Sequence, residues 1–239
     1  MFDARRGVAV KHWTMKPINT SYYDFEKLVT GGFVYVDKTA QIYELAKPDA
    51  DGLYYLPCPR RFGKSLMIST LKALFQGRRE LFAGLAIEKT DWDWEKEVYP
   101  IVHLDMSEAA SATVRQFEDK LAEIVRHQCG LFGFSYNEKV DAATNFMALL
   151  NRLPEKSKRG GKYVVLIDEC DAPISGLLDS DEGRAEVPRI RKALHDFYVQ
   201  AKSHCGDMRF LMVTGVSKFA KTSIFSAFNN PKDLTRPMR

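Results

Sequence analysis

The stretch Cys58-Pro59-Arg60-Arg61-Phe62-Gly63-Lys64-Ser65 decides the reading of this chain. A short apolar run, Leu53 to Leu56, precedes it, and a helix-like run from Leu66 to Gln76 follows. Strand, loop and helix in that order are the setting of a phosphate-binding loop. Such a loop wraps backbone N–H groups around an anion and ends at a helix N-terminus, where unpaired donors and the helix dipole favour negative charge. Gly63 lets backbone approach a phosphate, Lys64 supplies a mobile cation for the β- and γ-phosphates, and Ser65 offers a hydroxyl to Mg2+. The first glycine of the usual G-x-x-x-x-G-K-[ST] pattern is replaced by Cys58. Pro59 pushes Cys58 toward extended geometry, so a left-handed turn is not expected there, and the loop enters along a stiff Pro57-Cys58-Pro59 path.

A second feature supports the first. Tyr163-Val164-Val165-Leu166-Ile167 is a continuous apolar run, which suits a strand buried on both faces of a parallel sheet. It ends in Asp168-Glu169. An aspartate at the tip of such a strand can hold Mg2+ through its water shell, and the adjacent glutamate is placed to polarise an attacking water. The long interval between Lys64 and Asp168 holds one further strand, 101–105, with its helices. That interval fits the P-loop class in which an extra strand lies between the two motif strands. Asp171 reads as a cap or a hydrogen-bond partner behind the site.

The remaining chain is ordered around these two motifs. Ser21-Tyr22-Tyr23-Asp24 resembles a capping box that opens a short helix ending before Gly31-Gly32. Phe33 to Val36 reads as a strand, and Asp37 or Thr39 as the cap of a helix carrying Ile42 and Leu45. Met67, Leu71, Leu74 and Phe75 share a helical face, closed by Gly77. Trp92 and Trp94 read as packing aromatics. Asp105 ends the 101–105 strand, where α/β sheets place ligands, and equally suits a cap or turn. Helical stripes follow through Val114, Phe117, Leu121, Ile124 and Val125, and through Val140, Ala143, Met147 and Leu150. Lys156 to Lys162 is a solvated basic loop rather than a nucleic-acid patch. A long helix is expected over 184–205 and an apolar strand over 209–215. At the end of that strand, Thr214 or Ser217 reads either as a sensor of the γ-phosphate that positions water or as turn chemistry beside Gly215.

Strands at 33–36, 53–57, 101–105, 163–168 and 209–215 with intervening helices predict an α/β fold: a parallel sheet of about five strands with right-handed crossovers. Length allows one large domain over 21–239, with residues 1–20 as an N-terminal arm. A net charge of +4 permits a nucleic-acid partner without arguing for one. Cys58, Cys129, Cys170 and Cys205 have no Cys-x-x-Cys spacing, which argues against a metal or disulfide framework and fits a reducing cytoplasm. No apolar run approaches membrane-spanning length, and Arg5, Arg6, Lys11 and His12 interrupt any signal-peptide core.

Taken together, the motifs resemble those of the bacterial AAA-ATPase-like family of predicted P-loop ATPases. The resemblance is carried by Asp24-Phe25-Glu26, Tyr35-Val36-Asp37-Lys38-Thr39, Pro59 to Ser65, Leu81 to Leu85, Leu166 to Asp171, Thr214 to Phe219 and Phe225 to Asn230. It implies an ATP-binding domain of the additional-strand, catalytic-glutamate type. Lys64 and Ser65 then serve phosphate and Mg2+, Asp168 and Glu169 form the Walker B pair, and Pro59, Arg60, Arg61, Phe62, Gly63 and Leu66 complete the nucleotide-binding loop. The family usually has Arg at the position of Cys58 and Tyr at that of Cys170. Family members continue into a helical segment and often a nuclease-like domain. Nothing after Asp233-Leu234-Thr235 reads as a lid or a sensor arginine, so a C-terminal lid or effector domain is expected to be absent.

The expected activity is Mg2+-dependent ATP hydrolysis that drives or gates a partner module, with Glu169, Lys64 and Thr214 at the chemistry and a homo-oligomer or a protein as partner. Arg60 and Arg61 are either cross-subunit or phosphate contacts or simply solvated. The alternatives are a nucleotide-dependent switch with negligible hydrolysis, a small-molecule kinase, and a nuclease-associated nucleic-acid-binding module.

Overall fold

The computed structural model describes residues 16–19, 21–50, 52–178, 180–216 and 232–234. Five strands form one sheet in the order β2-β3-β4-β1-β5, with every neighbouring pair parallel. They are β1 (Leu53–Pro57), β2 (Ile101–Asp105), β3 (Tyr163–Asp168), β4 (Met208–Gly215) and β5 (Lys232–Asp233). The helices are α1 (Phe25–Thr30), α2 (Thr39–Ala46), α3 (Lys64–Phe75), α4 (Val114–Leu131), α5 (Ala142–Arg152), α6 (Ala172–Ser175) and α7 (Asp181–Ser203). Among the described residues, no helix is long and apolar enough to cross a membrane.

Helices cover both faces of the sheet. Because side chains alternate along a strand, Tyr163, Val165 and Ile167 of β3 join Phe117, Leu121, Phe146, Ile190 and Leu194 in one core. Val164 and Leu166 join Phe25, Ile42, Ile68, Leu71 and Phe75 in the other. Every residue of β3 is buried, as its unbroken apolar run requires. The register sets Asp105 opposite Asp168 and Pro57 opposite Gly215, so the carboxyl ends of four strands meet at one rim of the sheet.

The order places β4, not the 101–105 strand, between β1 and β3. The strand inserted in sequence between the motifs goes to the edge as β2. The strand that follows both motifs occupies the middle.

Several expectations are corrected. Residues 33–36 are not a strand. Their backbone bonds go elsewhere: Phe33 N donates to Leu28 O and Val34 N to Pro17 O, both at 3.0 Å. Apolar alternation there reflects half-buried packing, including Tyr35 edge-on against Phe25, without a strand to pair with. The fifth strand is instead β5, paired to β1 through Tyr54 and Tyr55.

The first helix is capped by Asp24, whose carboxylate accepts from Lys27 N, not by Ser21. The 140–150 stripe is out of phase. Asp141 caps α5, so Asn145, Phe146, Leu149 and Leu150 turn inward while Val140 and Met147 are exposed. On α3 it is Ile68, rather than half-buried Met67, that joins Leu71, Leu74 and Phe75 in the core. α7 begins at Asp181, because Ser180 Oγ accepts from Gly183 N at 3.0 Å.

Other assignments hold. Trp92 packs edge-on against Phe75, and Trp94 packs tilted against Phe82. The cap of α2 is an exception: Lys38 stands at the N-cap without a side-chain bond, and Asp37, one residue earlier, accepts from the N–H and hydroxyl of Thr39 and from Ala86 N. Asp105 caps the short turn Met106–Ala109 by accepting from Ser107 N. Ser217, the 225–230 motif and most of the 1–20 arm lie outside the described residues.

Candidate functional site: a phosphate-binding loop facing an acidic strand end

The loop leaves β1 still tied to the sheet, since Cys58 N donates to Gly215 O at 3.0 Å. Pro59, Arg60, Arg61, Phe62 and Gly63 are exposed. The left-handed residues are Arg61, at φ 66°, and Gly63, at φ 81°, not Cys58. Gly63 suits this conformation and leaves open space where a Cβ would be. Arg61 adopts it at a steric cost, a kind of strain that collects at functional loops.

Lys64 opens α3 and is almost fully buried. Its Nζ donates to Cys58 O at 3.1 Å and Pro59 O at 3.3 Å, and pairs with Glu169 Oε1 at 3.3 Å. The ammonium therefore sits inside the curl of its own loop, facing the Glu169 carboxylate just after β3. Ser65 and Leu66 follow, half-buried on the first turn of α3.

Across the rim, Asp168 is buried. Its Oδ1 accepts from the Thr214 hydroxyl and, at 3.0 Å, from Glu169 N. Glu169 N also reaches Thr214 Oγ1 at 3.2 Å. Glu169 is the second non-glycine residue with positive φ, at 50°. That twist at the end of β3 turns its carboxylate toward Lys64 while Asp168 stays behind. Thr214 is completely buried. Its hydroxyl is engaged by Asp168 and by the Glu169 backbone, which makes it a support for the acidic pair.

Asp171 lies behind this arrangement, and its carboxylate accepts from Val216 N at 3.0 and 3.2 Å. Between them sits Gly215, where a Cβ would come within 2.9 Å of Cys170 Sγ and 3.0 Å of Asp171 Oδ1. Gly215 thus permits β4 to pass close to the turn after β3. Burial, reinforced by Asp171, pushes the Cys170 thiol well above its ordinary range, and burial does the same to the Tyr198 phenol, whose OH donates to Cys170 O.

The cleft over the loop measures about 640 Å³ and is lined by Gly63, Lys64, Ser65, Leu66, Arg60, Arg61 and Glu169. Asn19, Tyr22 and Tyr23 complete it. In the sequence, Asn19 falls in the expected arm, and Tyr22 and Tyr23 in the expected capping box. Their one signal was a pair of adjacent aromatics outside any apolar stripe.

The donor set fits a magnesium nucleotide. A loop cation, an open glycine, a hydroxyl on the first helical turn and a buried carboxylate lie at one rim, and Glu169 lines the cleft beside Lys64. Sheet order, loop and acidic strand end together define a P-loop NTPase of the additional-strand type.

The chain belongs to the AAA-ATPase-like family, described as predicted AAA-ATPase, whose model matches residues 19–225. It is 34% identical over 213 residues to an uncharacterized protein in the vnfD 5' region of Azotobacter chroococcum mcd 1. That match covers 88% of this chain and 39% of the other protein's length. A solved chain from the structure of Drosophila ORC bound to DNA overlaps 91% of this chain and 50% of its own length, at 14% identity and a TM-score of 0.38.

Proposed function

We propose that this domain binds ATP with Mg2+ and hydrolyses it, and that the cycle drives or gates a partner module or a second copy of the chain. The observation that carries this reading is the meeting of Lys64 and Glu169 across 3.3 Å at the rim where Asp168 is buried. Lys64 neutralises phosphate charge from within the loop. Ser65 and Asp168 are the residues that hold the metal. Glu169 accepts the proton of the attacking water, and Thr214 keeps Asp168 and the Glu169 backbone in register. Mg2+, when bound, supplies further neutralisation of the phosphate oxygens. Arg60 and Arg61 stand exposed beside the cleft, in reach of phosphate or of a neighbouring subunit.

Two measurements test this reading. Titration of Mg-ATP into wild type and Lys64→Ala is expected to show binding in the first and loss of about tenfold or more in the second, since a charge-assisted contact to phosphate is removed. Equal affinities refute the assignment. Single-turnover hydrolysis without an added acceptor is expected to fall by about a hundredfold or more in Glu169→Gln. A rate unchanged by that substitution removes Glu169 from the chemistry.

The second reading, a switch that binds ATP with negligible hydrolysis, is favoured by one feature. Glu169 Oε1 is engaged by Lys64, and the carboxylate has to leave that pairing before it can serve water. Binding without turnover in wild type selects this alternative.

A further inference from the structure

We infer that Tyr22 and Tyr23 form the base subsite of the nucleotide site, taking the nucleobase by its face. This inference rests on the phosphate reading of the loop. Three observations on the chain converge on it.

First, the two tyrosines line the same cleft as Gly63, Lys64 and Ser65, although about forty residues of sequence separate them from the loop. Their side chains are not part of either core. Tyr22 is 44% exposed and Tyr23 58% exposed. Two adjacent, partly exposed aromatic rings beside the loop offer apolar, polarizable surface where a nucleotide would carry its base.

Second, the segment is fixed in place rather than loosely draped. Phe25 N donates to Ser69 Oγ at 2.9 Å, and Ser69 Oγ donates to Leu66 O at 2.9 Å. Ser69 lies one helical turn after Ser65 on α3, so the chain that carries the tyrosines is stitched to the helix that carries the phosphate residues. The Phe25 ring is buried against Tyr35 at 4.9 Å and Phe82 at 4.8 Å, which anchors the next residue along. Asn19 Oδ1 accepts from Ser21 N and Tyr22 N, at 2.7 and 2.9 Å, and Tyr22 leans edge-on against Phe33. A platform held this way loses little freedom when a ring stacks on it.

Third, the cap at Asp24 keeps Tyr22 and Tyr23 out of α1. Had the helix started at Ser21, both rings would be carried on its first turn. The later start leaves them on non-helical chain that lines the cleft.

The ligand class is a nucleoside triphosphate, recognised by phosphate charge at one end and by the base face at the other. Calorimetric titration with two probes, Mg-ATP and Mg-tripolyphosphate, separates the ends. The double variant Tyr22→Ala/Tyr23→Ala is expected to lose about tenfold or more in Mg-ATP affinity, the size of one lost base stack, while Mg-tripolyphosphate binds as in wild type. Tyr22→Phe/Tyr23→Phe is expected to retain Mg-ATP binding, because it keeps both rings and shows that the fold tolerates change there. Unchanged Mg-ATP affinity in the alanine variant overturns the inference, as does a parallel loss for both probes. Lys64→Ala is the separate control. If it weakens neither probe, the phosphate reading itself fails, whatever the tyrosine variants do.

Discussion

At the residue scale, the site is a short chain of dependencies behind Lys64. Asp168, the carboxylate proposed to hold the metal, is buried and has the Thr214 hydroxyl against it. Removing the hydroxyl leaves this buried charge with the Glu169 N–H but one charge-assisted hydrogen bond fewer, at a cost of about 1–3 kcal/mol. Thr214→Val is therefore expected to lower stability by about that amount and to raise the Mg2+ concentration needed for nucleotide binding. Thr214→Ser, which keeps the hydroxyl, should restore both. Urea unfolding together with a Mg2+ titration checks this, and a valine variant with wild-type Mg2+ dependence removes Thr214 from the support of Asp168. The positions of Lys64 and Ser65 at a helix start, and of Asp168 and Glu169 at a strand end, were legible in the sequence, because loops and strand ends leave a local signature. The positive φ of Arg61 and Glu169 was not, since neither residue type announces a left-handed conformation.

At the element scale, the opposite end of the sheet is held by a clasp between segments far apart in sequence. Arg209 near the start of β4 pairs with Glu97 at 2.9 Å, and both side chains are nearly buried, at 11% and 12% exposure. Arg209 Nη2 also donates to Ala46 O at the end of α2, and its guanidinium lies over Phe75 and Tyr99. Taking away one charge strands the other, so Glu97→Ala is expected to cost about 3 kcal/mol, read as a lowered urea midpoint. A change within the error of the midpoint excludes the clasp as a stabilising feature. Element legibility followed burial. The all-apolar β3 was readable because both its faces are covered. Residues 33–36 misled because half-buried alternation is shared by strands and by irregular chain packed on a helix. The α5 stripe was misphased because buried Asn145 looks polar in sequence. Its amide donates to Asn137 O and Asp141 O, both at 3.0 Å, which satisfies it inside.

At the scale of the whole molecule, the edge strand β2 carries a titratable group into the interior. Burial, helped by the charge of Lys72, pushes the His103 imidazole below its ordinary value, against the opposing pull of Asp168 and Asp105. Its Nε2 is buried without a hydrogen-bond partner among the described residues. For a base whose folded pKa is depressed, the unfolded chain takes up the proton first. Stability is then complete above the unfolded value, about 6.5, and is lost as pH falls from there toward the folded value. Wild type is expected to lose stability between about pH 7 and pH 5 more steeply than His103→Leu. Urea midpoints at the two pH values decide it, and equal slopes show that His103 does not contribute to the pH dependence.

The sequence by itself determined the phosphate loop, the acidic pair, the alternation of strand and helix and hence a parallel sheet, because each of these is encoded by residues adjacent in the chain. Only the tertiary structure decided which strand stands between β1 and β3, that Lys64 faces Glu169, that Thr214 serves Asp168, and that Tyr22 and Tyr23 share a cleft with the loop. Those facts depend on the order of strands and on where a helix is capped. Both are set by the burial of two faces of one sheet at once, a condition on the whole chain that no local stretch carries. The Cys58–Ser65 loop is thus marked locally, and the fold supplies its partners.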